Sequence, residues 1–183
     1  MKKKAYNLLV LCRGSLPGDK TMGKAYSLLA LCLIIWFFIA GCSASLQADL
    51  SAYGDQPIRI SGLTAEDFTV TPNELAKLDC ESQSATGKTQ KAGTVNGVGP
   101  TLDTFLAQYN KKQTDFQKII FRAKDGYTIT LGPQDLKKHT IILSLANGKE
   151  PLSEQEAPLR LLIPGAESGK WVRMVTEIKF IAM

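Results

Sequence analysis

The sequence predicts an α+β fold, a mainly β mixed sheet carrying a few short helices. Three observations predict it: strand-like apolar runs outnumber helix-like stripes, turn dipeptides separate them, and no regular alternation of strand and helix runs along the chain. In order, IRISGL from Ile58 alternates as a short strand. Thr71-Pro72-Asn73-Glu74 then opens a short helix to about Leu78, with Thr71 as cap, Pro72 at the first helical position and Glu74 reaching back in a capping box. Glu81 to Gly97 is polar and β-like, the pattern of exposed strands. Pro100 opens a second helix, whose Leu102, Phe105, Leu106 and Tyr109 make one apolar stripe for the core.

The second half is mostly strand. Ile119 to Phe121 and Tyr127 to Leu131 flank Asp125-Gly126, a hairpin signal, and a helix of one or two turns runs from Gly132-Pro133 through Lys138. Thr140 to Ala146 and Leu159 to Ile163 are apolar strands closed by Asn147-Gly148 and Pro164-Gly165. The last strand, Trp171 to Ile181, sets Val172, Met174, Thr176, Ile178 and Phe180 on one face of an antiparallel or mixed sheet.

Ahead of this domain the chain repeats itself: KAYNLLVLC at Lys4 to Cys12 recurs as KAYSLLALC at Lys24 to Cys32. Only the second copy leads into an unbroken apolar run, the 13 residues from Leu28 to Ala40. A bilayer crossing takes about 20 residues and a signal-peptide core about 7–15. The run is therefore read as a signal core, with Met22 as a possible true start, against the alternatives of a membrane anchor or a buried helix. It ends in Ile39-Ala40-Gly41-Cys42, which resembles the lipobox of bacterial lipoproteins. That resemblance implies cleavage before Cys42, acylation of its thiol, and export to the outer side of the cytoplasmic membrane or to the outer membrane. Residues 1–41 are then a signal region, 42–57 the lipid site and a tether of small and polar residues, and 58–183 the domain.

Cleavage at Cys42 changes the charge balance. Six of the 22 Lys and Arg and one of the 17 acids lie in residues 1–41, so sixteen of each remain. A neutral domain without a basic stripe gives no reason to expect nucleic acid. Cys12 and Cys32 leave with the leader and Cys42 is acylated, so Cys80 stands alone and no intramolecular disulfide is expected.

The ordered set Gly97-Val98-Gly99-Pro100-Thr101-Leu102, Asp125-Gly126-Tyr127, Leu145 to Leu152, Pro158-Leu159-Arg160 to Gly165, and Lys170-Trp171-Val172-Arg173 resembles the oxidoreductase molybdopterin-binding domain of the sulfite oxidase superfamily. The resemblance spans about Ile58 to Ile181. It implies a mixed, mainly β fold and, in catalytic members, a pterin-bound molybdenum held by one protein cysteine. The chain departs from that pattern: it lacks the Cys-x-Gly-Asn type segment of catalytic members, and Glu156-Ala157 stands where members often carry His-Gly.

Cys80 is the one candidate metal ligand, against inert packing. Arg160 and Arg173 are the candidate cofactor-binding residues: in the family this part of the domain lies near the anionic cofactor, and a guanidinium binds phosphate bidentately. Their other reading is an ion pair on a strand face. His139 is read as a surface residue, Asp125 as a turn residue, and Gly93, Gly97 and Gly99 as turns. The expectation is a lipid-anchored cell-envelope protein whose domain is a non-catalytic binding or accessory module, with a small anionic ligand or an envelope protein as partner. Two alternatives stay open: a molybdenum-cofactor-dependent oxidoreductase using Cys80, and a structural envelope lipoprotein.

Overall fold

A computed structural model describes residues 46–87 and 93–183. The nine-residue repeat, the apolar run and Cys42 lie outside the described residues. Eleven strands and three short α-helices build the described part, the mixed sheet-dominated fold that the sequence predicts.

One sheet has five strands: β1 (Ile58–Ser61), β2 (Phe68–Val70), β5 (Phe116–Ala123), β6 (Thr128–Leu131) and β11 (Val175–Ala182), in the order β2-β1-β11-β5-β6. β1 runs parallel to β11, and every other pairing in the sheet is antiparallel. A second sheet has the order β3-β4-β8-β9, from β3 (Cys80–Thr86), β4 (Thr94–Pro100), β8 (Ala146–Asn147) and β9 (Glu150–Pro151). The third pairs β7 (Ile142–Ser144) with β10 (Arg160–Leu162). Fully buried Ile58, Ile60, Phe105, Phe121, Leu143, Leu161 and Ile178 belong to one core cluster shared by these layers.

Helix α1 (Pro72–Leu75) has its capping box: Glu74 N donates to Thr71 Oγ1 at 3.3 Å, and Thr71 N donates to Glu74 Oε2 at 2.8 Å. It is shorter than expected, because Ala76 to Leu78 continue only as a turn. Helix α2 (Leu102–Ala107) starts two residues later than expected. Pro100 ends β4 instead, and Thr101 is the cap, its Oγ1 accepting from Thr104 N at 2.9 Å. Leu102, Phe105 and Leu106 are buried as the stripe predicts, and Tyr109, past the helix end, packs in tilted ring pairs with Phe105 and Phe68, the centroids 5.6 Å apart in both. Helix α3 covers Pro133–Lys138. At the β5–β6 turn Gly126 takes φ 87°, and Asp125 Oδ1 accepts from Tyr127 N at 2.9 Å, so Asp125 is a turn residue as read.

Three expectations need correction. The final strand begins at Val175 rather than Trp171, because Met174 takes φ 53° and a bulge between Val175 and Glu177 shifts the register. Val175 is consequently buried together with Ile178 and Phe180, and Thr176 leaves that face. The stretch expected as a tether is packed in its described part: Leu50 and Tyr53 are buried. Tyr53 Oη donates to Leu145 O at 2.7 Å and accepts from Leu152 N at 2.9 Å. Gly97 and Gly99 are strand residues rather than turns. A Cβ on Gly99 would lie 2.0 Å from Leu143 O, and one on Gly97 would lie 2.7 Å from Leu162 Cδ2, so β4 rests directly on β7. Gly93 alone of the three has a left-handed backbone, at φ 57°.

Gly99→Ala therefore forces backbone apart rather than a flexible side chain. The expected cost is about 1–3 kcal/mol, read in thermal denaturation as a fall on the order of 5–10 °C; an unchanged melting temperature would refute the close approach.

Candidate functional site

Arg160 and Arg173 come together because the loop before β11 runs beside β10. Leu161 N donates to Val172 O at 2.7 Å, and Val175 N donates to Leu159 O at 2.9 Å. Between these two bonds Met174 is held left-handed, its N donating to Glu156 O at 3.0 Å and its O accepting from Lys124 N at 2.9 Å.

Arg160 is the more enclosed of the two, its side chain 11% exposed. Its Nη1 donates to Glu156 Oε1 in a tight ion pair, and Ser153 Oγ donates to Glu156 Oε2 at 3.1 Å. The Arg160 Nε is buried with no hydrogen-bond partner. Burial lowers the pKa of this guanidinium; Glu156 acts against that shift and the neighbouring Arg173 adds to it. The ion-pair reading of Arg160 is thus observed, and it leaves one donor unused. Arg173 is exposed and belongs to a cleft of about 430 Å³ lined also by Asp125, Tyr127, Gln155, Ser168, Gly169, Trp171 and Met174. Tyr127 is 49% exposed and is fixed by its Oη, which donates to Gly169 O at 2.7 Å; Trp171 is fixed by its Nε1, which donates to Ile163 O at 3.0 Å. The cleft therefore carries one exposed anchored ring, Tyr127, over a buried Trp171, with the exposed Arg173 and the Asp125 carboxylate at its wall and no ion pair to Arg173 among the described residues.

Cys80 is elsewhere in the fold. It faces Pro100 across the β3–β4 ladder, clusters with Val98 and Ala146, and is covered by Leu46 and Ala48. Burial raises its thiol pKa, and Asp79 raises it further. A metal-ligating thiolate requires the reverse, an accessible sulfur in an electropositive setting. No group of three His, Cys, Asp or Glu among the described residues is arranged to hold a metal ion. The residues present do not fit a molybdenum centre on Cys80. Of the two arginines only the exposed Arg173 lines a cavity, and its chemistry fits the anionic part of a pterin cofactor; the Arg160 Nε is buried away from it.

His139 is half-buried rather than fully on the surface: its Nδ1 lies 3.2 Å from Pro164 O, and its backbone O accepts from Gln113 Nε2 at 2.8 Å. Glu156, Tyr127 and Met174 were not among the residues expected at the site. The Glu-x-x-x-Arg spacing of 156 and 160 was visible, but its meaning depends on a non-helical path between them.

These features define a mixed-sheet α+β domain with a cation-bearing cleft and a sealed cysteine. Residues 55–183 match the oxidoreductase molybdopterin binding domain, and the chain belongs to that family. Among solved structures it is similar to the sulfane dehydrogenase SoxCD from Paracoccus pantotrophus, at 18% identity and a TM-score of 0.57. The match covers 76% of this chain and 40% of that one, a likeness of fold. A search of curated proteins finds no match.

Glu156→Ala should leave the enclosed Arg160 guanidinium without its counter-charge. Removing one partner of a buried pair costs about 3–5 kcal/mol, and the lower end is expected here because both side chains keep some exposure. Chemical denaturation measures it, and a cost below that of an ordinary surface pair would contradict the enclosed ion pair.

Proposed function

We propose that the chain is a lipid-anchored protein of the bacterial cell envelope whose molybdopterin-binding-type domain binds a small anionic ligand and runs no molybdenum chemistry. The observation that carries this reading is the contrast between Cys80 and Arg173: the thiol is closed in an apolar cluster, while Arg173 is exposed in a cleft that Tyr127 also lines. The exposed Tyr127 suits a flat heterocycle, and Arg173 suits its phosphate or carboxylate. Cys80 is then a packing residue. The Ile39-Ala40-Gly41-Cys42 motif supports the anchor, and cleavage there would leave the acylated Cys42 as the first residue.

Purification from a host that makes the cofactor, followed by molybdenum and pterin analysis per chain, tests this. Molybdenum should be absent. An added pterin should raise the melting temperature with concentration, and Arg173→Ala should abolish the rise. Near-stoichiometric molybdenum that disappears in Cys80→Ser would establish the oxidoreductase instead.

A further inference from the structure

The strand edges of the described domain are unequal. β2, β6, β7, β9 and β10 are two to four residues long, whereas β3, at the edge of its sheet, has seven. Long edges are ordinarily blunted by lysine, proline or a bulge. CESQSAT contains neither lysine nor proline, and its ladder to β4 is in unbroken register from Cys80↔Pro100 to Thr86↔Thr94.

The backbone of β4 shows which groups of β3 are free. Leu145 N donates to Val98 O at 2.8 Å and Gly148 N donates to Asn96 O at 2.6 Å, so Asn96 and Val98 turn their peptide groups toward β8. Pro100, which has no N–H to give, shares that parity. Val95, Gly97 and Gly99 therefore bond β3 through Ala85, Gln83 and Glu81. Cys80, Ser82, Ser84 and Thr86 point their N–H and C=O groups away from the sheet. No backbone bond of the described residues uses that side of β3. Glu81, Ser82, Ser84 and Thr86 are exposed.

We infer that β3 pairs antiparallel with β3 of a second copy of this chain, on a two-fold axis at Gln83. In that register Ser82 bonds Ser84 of the other copy and Ser84 bonds its Ser82. Gln83 meets Gln83 as a close, non-bonded pair, Glu81 lies opposite Ala85, and Cys80 and Thr86 pair at the ends. The outward parity falls on the bonded positions, so about eight backbone hydrogen bonds form. No like charges meet, since the strand's single charged residue faces an alanine. The two four-stranded sheets become one continuous sheet. An isologous contact of this kind closes at two copies and leaves no growing edge.

Disulfide trapping in the full-length chain tests the register. Opposed residues at a non-bonded pair have Cα atoms about 4.5 Å apart, within disulfide reach. Gln83→Cys should give a dimer band on a non-reducing gel under mild oxidation. Glu81→Cys should not, because its own counterpart lies four residues along the partner strand, about 13 Å away. Adding Ser84→Pro, which removes only an outward N–H, should abolish the Gln83→Cys band. Gln83→Lys, which sets two ammonium groups on the axis, should convert the detergent-solubilised chain from dimer to monomer in sedimentation. Absence of the Gln83→Cys band, an equal band from Glu81→Cys, a band that survives Ser84→Pro, or a Gln83→Lys chain that sediments as the unsubstituted one would each overturn the pairing.

Discussion

The fold depends on how closely β4 lies on β7. β4 bonds β3 on one side and β8 on the other, and across its face it touches Leu143, Ser144 and Leu162 with no side chain between at Gly97 and Gly99. This contact joins the four-stranded sheet to the β7–β10 pair. It also sets the path of the chain into helix α2, since Leu102 N donates to Ile141 O at 2.8 Å and Thr101 bridges Ile142. Glycine is needed at 99 for clearance: the atom a Cβ would meet is a backbone carbonyl, which cannot rotate away.

The candidate site follows from that arrangement. β10 is positioned by β7, and the 172–175 segment is hydrogen-bonded along β10, so Arg160 and Arg173 are brought near one another from separate parts of the sequence. Their states differ. Arg160 is already answered by Glu156, a carboxylate supplied by the chain itself, whereas Arg173 faces the cleft with no acid paired to it among the described ion pairs. The internal carboxylate takes most of the anion-binding capacity of Arg160, so on the proposed function an anion in the cleft would be held chiefly by Arg173.

Much of the fold was legible in the sequence because local chemistry decides it. The Thr71–Glu74 capping box, the Asp125-Gly126 hairpin, and the stripe of Leu102, Phe105 and Leu106 each form from residues within a few positions of one another. What was not legible depends on distant partners. Gly97 and Gly99 read as turn residues because glycine marks a turn or a close approach equally well, and only the neighbouring β7 tells which. The even alternation from Trp171 to Ile181 hid the left-handed Met174 and the bulge, since a two-residue period shows no trace of an inserted residue. At the site, Arg160 and Arg173 were identified by family resemblance. Tyr127 and Glu156 were missed because nothing local to them reports the loop that completes the cleft.

The central claim is that this domain keeps the family's fold while closing its cysteine away from ligand chemistry. Residue-resolved alkylation of Cys80 in the folded protein tests it most directly. A buried thiol with a raised pKa should resist iodoacetamide at neutral and mildly alkaline pH and react only when the domain is unfolded. Rapid native-state labelling at neutral pH would show an accessible thiolate and contradict the account.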